Sequence, residues 1–159
     1  MPIKQLKEFL DANNIKYITI NHSRAFTARE TAQSAHIQGK DMAKTVMIKI
    51  NNKMVMAVLP SSFKIDFDLL KQAVGPGDVV LADEREFKNL FPACEVGAMP
   101  PFGNLYNMEV FVEKHLTKDK EIAFNAGTHR ELISMAYKDF ERLVKPKVMK
   151  FSALLVDQE

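Results

Sequence analysis

The chain has 159 residues, 47% of them hydrophobic and 26% charged, with a formal net charge of +2. These values predict one globular domain over residues 1–159, and so small a charge argues against a protein that coats nucleic acid. No apolar run reaches the roughly eighteen residues that a membrane-spanning helix needs, the first residues lack the apolar core of a signal peptide, and a single cysteine allows no internal disulfide. We therefore predict a cytoplasmic protein with no membrane partner.

The first half of the chain predicts two helices, a strand and a hairpin. Apolar residues at helical spacing predict a helix that begins near residue 3 and stops at residues 13–14, and alternation over residues 16–20 predicts a strand. Thr27 and Glu30 fit a capping box, which starts a helix that reaches about residue 36. Apolar runs at residues 43–50 and 54–59 flank a short polar turn and predict a β-hairpin.

The second half continues with short elements of both kinds. Asp66 caps a predicted helix over residues 67–74, and Asp83 with Glu86 brackets the start of another. A buried strand is predicted over residues 79–81, further strands over 108–112, 121–124 and 129–135, and a last helix over 137–144 that stops at Pro146. Because strands and helices alternate without a regular βαβ period, we expect an α/β fold with a mixed sheet and helices packed around it.

The most informative segment is a loop rich in glycine and proline, Gly97-Ala98-Met99-Pro100-Pro101-Phe102-Gly103. Its prolines restrict φ and its glycines permit conformations closed to other residues, so the loop holds one shape before any ligand arrives. Its remaining amides, at residues 97, 98, 99, 102 and 103, can be aimed at a small polar group without an ordering cost. The alternative interpretation is a rigid surface turn.

Three basic side chains are candidate contacts to a ligand. Lys44 leads into an apolar strand, so its ammonium can bind a phosphate or a developing oxyanion at the strand end; the alternative is a surface lysine whose stem lies along apolar surface. His129 follows Gly127 in a tight turn and either presents its imidazole to a cleft or is bonded locally by backbone. His22 precedes a predicted helix and can line the same opening.

The sequence shows no pattern for a metal, a nucleotide cofactor or a nucleophilic cysteine. No two of the four histidines have the spacing of zinc ligands, and Cys94 has no second cysteine. Neither a P-loop nor Gly-x-Gly-x-x-Gly occurs, and no residue pattern supplies an activating base for Cys94. We therefore predict no metal site and no cofactor.

Three motifs occur in an order that resembles one family: Ala43-Lys44-Thr45-Val46, then Gly97 to Gly103, then Asn125-Ala126-Gly127-Thr128-His129. Together they resemble the YbaK-like aminoacyl-tRNA deacylases, which include the editing insertion of bacterial prolyl-tRNA synthetase and its freestanding relatives. The likeness covers nearly the whole chain. It implies a curved mixed sheet surrounded by helices, and hydrolysis of the ester between a wrong amino acid and the terminal adenosine of a tRNA.

The resemblance also implies roles for individual residues. Lys44 matches the essential lysine of the family, Gly97 to Pro101 match its Gly-x-x-x-Pro loop beside the scissile ester, and His129 matches the histidine of its amino-acid pocket. We accordingly assign catalysis to Lys44, Gly97, Ala98, Met99 and Pro101, and substrate binding to His129, Gly127, Phe102, Gly103 and His22.

The resulting hypothesis is a hydrolase that edits in trans, most directly a small amino acid such as alanine on proline tRNA. Lys44 would hold the phosphate or ribose of the terminal adenosine, loop amides would polarise the ester carbonyl, and water would attack. The expected partner is the acceptor end of aminoacyl-tRNA, and a synthetase or an elongation factor is a further candidate. The alternatives are a binding module that has lost turnover, favoured by tight binding without hydrolysis, and a nucleic-acid coating protein, favoured by steeply salt-dependent binding to uncharged RNA.

Overall fold

The computed structural model describes residues 3–21, 38 and 40–155. Its helices, in chain order, are α1 Lys4–Ala12, α2 Phe67–Val74, α3 Glu84–Phe87 and α4 Tyr137–Val144, with shorter 3-10 helices at Lys88–Leu90, Gly103–Leu105 and Lys114–Lys118. Its strands are β1 Tyr17–Asn21, β2 Ala43–Ile50, β3 Lys53–Pro60, β4 Phe63–Ile65, β5 Val79–Leu81, β6 Glu109–Glu113, β7 Glu121–Asn125, β8 Glu131–Ala136, β9 Lys147–Met149 and β10 Ser152–Leu154.

The central sheet is built on the predicted hairpin of β2 and β3. Asn51 and Asn52 both take left-handed backbone conformations, φ 51° and 67°, as a two-residue hairpin turn requires. The strand order is β5-β2-β3-β6-β9. Since β2 pairs antiparallel with β3 and β5, whereas β6 pairs parallel with β3 and β9, the sheet is mixed, as the sequence predicts.

A second, antiparallel sheet of order β1-β8-β7 meets the first at the start of β2. An isolated parallel bridge joins Met42 to Ala123, and the amide of Ala123 donates to the carbonyl of Asp41 at 3.0 Å. A third, two-stranded ladder pairs β10 with β4. The junction places the first residues of β2 beside the end of β7.

Alternation along β2 and β3 divides the core between the two faces of the central sheet. One face, with Met47 and Met56, packs against α1, α4 and the glycine- and proline-rich loop. The other, with Ile48 and Leu59, packs against Leu70 of α2 and the C-terminal segment. The helices therefore cover the sheet on both sides, which confirms the predicted mixed α/β class.

Local signals place the helix ends correctly. The Asp66 carboxylate accepts hydrogen bonds from the amides of residues 68 and 69 at the start of α2, and Asp83 with Glu86 forms a capping box on α3. Helix α4 ends at Lys145, which has a left-handed φ of 53° immediately before Pro146. None of the helices in the described ranges is long and apolar enough to cross a membrane.

Three sequence predictions differ from the structure or fall outside it. The strand at residues 79–81 is buried only at Val79, whereas Val80 and Leu81 are exposed, because β5 pairs only with β2 in the part of the chain described. The strand predicted from residue 129 begins at Glu131, because residues 126–130 form a turn bonded to another loop. The helix predicted over residues 27–36 lies outside the described residues, as does His22.

Candidate functional site

The glycine- and proline-rich loop and the turn at residues 126–130 are joined by backbone hydrogen bonds. The Glu95 amide donates to the carbonyl of Gly127 at 2.8 Å, and the Gly127 amide donates to the carbonyl of Ala98 at 2.9 Å. The Glu95 side chain also accepts from the His129 amide at 2.7 Å. Two motifs about thirty residues apart in the chain are therefore joined into one hydrogen-bonded unit.

His129 adds a side-chain hydrogen bond to this unit. Its imidazole is 4% exposed, and Nε2 lies 2.7 Å from the carbonyl oxygen of Val96. Because a carbonyl oxygen only accepts, Nε2 must carry the proton of this bond. The imidazole is thus bonded to backbone, as one of the two interpretations held, but its partner is a carbonyl next to the loop, 33 positions away in sequence, and not a local one.

Gly97 is the exposed residue of the loop's first turn, and only glycine suits its position. Its φ is 86°, and a Cβ there would lie 3.3 Å from Cε1 of His129. Its amide faces the Met99 thioether, with the nitrogen 3.3 Å from Sδ. The amide is held by a weak sulfur acceptor, in a residue that solvent reaches.

The other loop amides expected at the site are partly engaged. The Ala98 amide donates to the carbonyl of Glu95 at 3.0 Å, and the Phe102 amide donates to the carbonyl of Pro100 at 2.8 Å. Ala98 is also fully buried and Met99 is 4% exposed. Gly97 is thus an exposed residue of the loop whose amide bonds to a weak acceptor, in a partly buried contact.

The last three residues of the loop, Pro101, Phe102 and Gly103, are buried. Phe102 is fully buried, and its ring packs on Phe9, Phe124 and Phe140 at centroid distances of 6.2, 5.4 and 5.4 Å. Gly103 is buried against Met108 and Val110. In this conformation these residues anchor the loop to the core, so any effect on a ligand is transmitted through the loop.

Lys44 stands at the junction of the two sheets. It is the second residue of β2, opposite Leu59, and follows the bridge between Met42 and Ala123 by two positions. Two positions beyond Ala123 on the parallel neighbour is Asn125, so strand alternation puts Lys44 and Asn125 on the same side of the junction. Asn125 is 8% exposed and its Oδ1 is buried with no hydrogen-bond partner in the described structure.

Two residues of this region were not selected from the sequence. Glu95 precedes the loop and bonds the His129 amide, and Asn125 ends β7 beside the start of β2. Asn125 opens the third motif, so its place in the motif was a usable signal. Glu95 carried none, since its partner lies 34 positions away.

Cys94, three residues before the loop, contacts Tyr106. Burial raises the pKa of the Cys94 thiol, although its contact with the Tyr106 hydroxyl at 3.7 Å opposes this, so the thiolate is disfavoured. Within residues 3–21, 38 and 40–155, no three His, Cys, Asp or Glu side chains are grouped as metal ligands.

Comparisons with known proteins identify the family of this chain. The model of a family described as the aminoacyl-tRNA editing domain matches residues 22–143. The multifunctional Ser/Thr-tRNA deacylase ProXp-y of Escherichia coli K12 is 28% identical over 114 residues, which span 69% of this chain and 68% of that protein.

Solved structures show the same fold at low identity. A hypothetical protein superposes with a TM-score of 0.84 at 19% identity, covering 94% of this chain and all of that one. A candidate trans-editing enzyme for prolyl-tRNA synthetase superposes with a TM-score of 0.79 at 19% identity, covering 94% of this chain and 96% of that one.

Proposed function

This chain belongs to the aminoacyl-tRNA editing domain family, and from that membership we propose that it hydrolyses, in trans, the ester of tRNA charged with a wrong small amino acid. Members of this family act on aminoacyl-tRNA, so the acceptor end is the partner. The ester is already reactive, so the proposed reaction needs a positioned water and a stabilised oxyanion, with no metal or cofactor.

The observation that carries the proposal is the amide of the exposed residue Gly97, whose peptide also accepts the hydrogen bond from His129 at the Val96 carbonyl. In the proposed reaction this amide donates to the ester carbonyl and strengthens its bond as negative charge develops. Removing one such donor typically costs about 3 kcal/mol of transition-state stabilisation. Ala98, Met99 and Pro101 shape the loop that holds the amide.

Lys44 supplies the positive charge in this proposal. A lysine ammonium is a compact point charge suited to a phosphate, and Lys44 lies at the start of β2, next to the Asn125 end of the third motif. We assign it to the terminal adenosine phosphate and ribose, with Asn125 as an added polar contact. We assign His129 and Gly127 to the wall of the substrate site next to the loop. His22, which lies outside the described residues, remains a proposed contact.

The proposed substrate class is a small amino acid on a tRNA that should carry another. Each methylene lets a synthetase discriminate between two amino acids by only about 1–3 kcal/mol, so a smaller amino acid is sometimes attached by mistake. Alanine on proline tRNA is the sequence-based candidate. The E. coli relative is named a Ser/Thr-tRNA deacylase, so serine and threonine esters are candidates of equal standing. Delivery by a synthetase or an elongation factor is compatible with action in trans.

The test is deacylation of a panel of mischarged tRNAs by wild type, Lys44→Met and Lys49→Met, with and without a chelator. Lys49 lies on the same strand and pairs with Glu86 at the surface, so its variant removes an equal charge away from the junction. We expect hydrolysis of small amino-acid esters by wild type and Lys49→Met, a loss of at least a hundredfold in Lys44→Met, and no effect of the chelator. Binding of the esters without release would instead identify a binding module.

A further inference from the structure

Met99 makes an unusual contact for a residue of a core. Its side chain is 4% exposed, yet its Sδ lies 3.3 Å from the amide nitrogen of the exposed Gly97. An amide on an exposed residue normally bonds to water or to a carbonyl, both stronger acceptors than a thioether. The contact therefore keeps stronger acceptors away from this N–H.

We propose that Met99 is a positioning residue whose thioether holds the Gly97 N–H in the ligand-free protein and gives way to the substrate carbonyl oxygen. This inference rests on the proposed function, in which that N–H is the oxyanion donor. Exchanging a sulfur acceptor for an ester oxygen replaces a weak hydrogen bond by a stronger one. Charge developing on that oxygen strengthens the new bond further.

The geometry of the peptide between Val96 and Gly97 allows this exchange without loss of orientation. No peptide in the described chain is cis, and in a trans peptide the carbonyl and the N–H point to opposite sides. His129 holds the carbonyl side at 2.7 Å, and Met99 holds the N–H side. When the thioether leaves, the bond from His129 still fixes the plane of the peptide.

The structure also provides a place for the displaced side chain. Met99 lines an apolar cleft of about 250 Å³ with Thr45, Met47, Phe87, Val96 and Gly97. Methionine is unbranched and has three rotatable side-chain bonds, so it adapts to irregular apolar space at low cost. A branched or aromatic residue would not combine an acceptor atom with this freedom.

The first test compares Met99→Gln with Met99→Leu, two side chains of similar size that differ in acceptor strength. The amide oxygen of glutamine competes with the substrate for the Gly97 N–H, so we expect kcat/KM to fall at least tenfold, mainly through a raised KM. Leucine offers no acceptor and so does not compete with the substrate, and we expect its kcat/KM to fall less than that of Met99→Gln. Equal turnover by the glutamine variant and wild type would overturn the inference while leaving the proposed function intact.

The second test uses wild-type protein and needs no variant to fold. The protein is labelled with ¹⁵N-glycine and with ¹³C-methyl methionine; the chain has six glycines. It is then titrated with 3′-alanylamino-3′-deoxyadenosine, a non-hydrolysable analogue of the charged tRNA terminus. We expect the Gly97 amide proton to move downfield and the Met99 methyl signal to move at the same ligand concentration. A Gly97 shift with a static Met99 methyl overturns the inference alone; no shift of either signal, together with no ester hydrolysis, overturns it along with the proposed function.

Discussion

The imidazole of His129 donates through Nε2 to the carbonyl oxygen of Val96 at 2.7 Å, across 33 positions of sequence. That carbonyl shares a peptide with the Gly97 N–H. A hydrogen bond to the carbonyl polarises the peptide and restrains its plane, so in the proposed site His129 would influence both the strength and the direction of the Gly97 donor.

Replacing His129 therefore tests whether its hydrogen bond to Val96 orients the Gly97 N–H. His129→Leu removes the donor to Val96, and we expect kcat to fall tenfold to a hundredfold because the Gly97 N–H is no longer held in place. His129→Gln keeps an N–H donor of similar reach, so we expect it to recover part of kcat. Steady-state kinetics on a mischarged tRNA, with circular dichroism to confirm folding, measures both.

Thr128→Ala is the matched control for His129. Thr128 lies in the same turn, and its hydroxyl accepts from the Arg130 amide at 3.3 Å. Its loss leaves the Val96 carbonyl bonded, so kcat should stay within about twofold of wild type. If His129→Leu kept the wild-type kcat, a role of His129 through Val96 would be refuted.

A pair of glycine variants separates backbone strain from site geometry. Gly97→Ala and Gly75→Ala both place a side chain at positive φ, 86° and 88°, but a Cβ at residue 97 meets His129 whereas one at residue 75 meets nothing within 4 Å. We expect each to cost about 1 kcal/mol of stability from the backbone. Only Gly97→Ala should also lose deacylation, by more than tenfold, as measured by urea unfolding and single-turnover kinetics.

The raised pKa of Asp119 predicts that the free energy of unfolding depends on pH above the pKa that this group has in the unfolded chain. Burial first, then the charge of Asp41, raise the pKa of Asp119 from 3.8 to about 6, and Lys40 opposes the shift. The folded protein therefore holds this proton between about pH 4 and pH 6 while the unfolded chain releases it. Its contribution consequently destabilises the folded state as pH rises through that window.

Asp119→Asn should remove the loss of stability that the ionisation of Asp119 causes as pH rises. The carboxamide carries no charge and keeps a donor for Asp41, so we expect the variant to be more stable than wild type at pH 8 by on the order of 1 kcal/mol, discounted for partial exposure. The two proteins should be equally stable near pH 4. Urea unfolding at both pH values measures this, with exposed Asp78→Asn as the control; a destabilised Asp119→Asn at pH 8 would contradict the argument.

The lowered pKa of Glu113 predicts the opposite dependence, a loss of stability as the pH falls. Its carboxylate is fully buried and accepts from the amides of Phe151 and Ser152, each at 3.0 Å, and from His115. Burial alone would raise the pKa of Glu113, but these hydrogen bonds outweigh it and lower the pKa. Its contribution is therefore present above the unfolded pKa of about 4.5 and is lost as pH falls through the lower folded value.

Glu113→Gln should cost about 2–4 kcal/mol at pH 7, because a carboxamide turns a donor towards amides that need an acceptor. The variant should also lose less stability than wild type between pH 5 and pH 3. Glu109→Gln is the control on the same strand, since its surface pairs with Lys53 and Lys147 are long, at 3.9 and 3.5 Å. A cost no larger than that of Glu109→Gln would show that the buried carboxylate is dispensable.

Most elements could be predicted from the sequence because their signals are local. The Asp66 cap, the paired asparagines between β2 and β3, and the stop before Pro146 each depend on residues within a few positions. Strands β4, β9 and β10 were not predicted, since three residues are too few to show a period. The exposure of β5 was missed for a different reason, because an apolar triplet does not reveal whether its strand has a neighbour on both sides.

For the candidate site, the sequence by itself determined which residue types and motifs are present, and with them the family. Only the tertiary structure decided how those residues are used: that His129 bonds Val96, that Met99 faces the Gly97 N–H, and that Phe102 is a core residue. The physical reason is the range of the interactions. Capping and turn formation act over a few positions, whereas a hydrogen bond between residues 96 and 129 depends on how the sheets bring distant loops together.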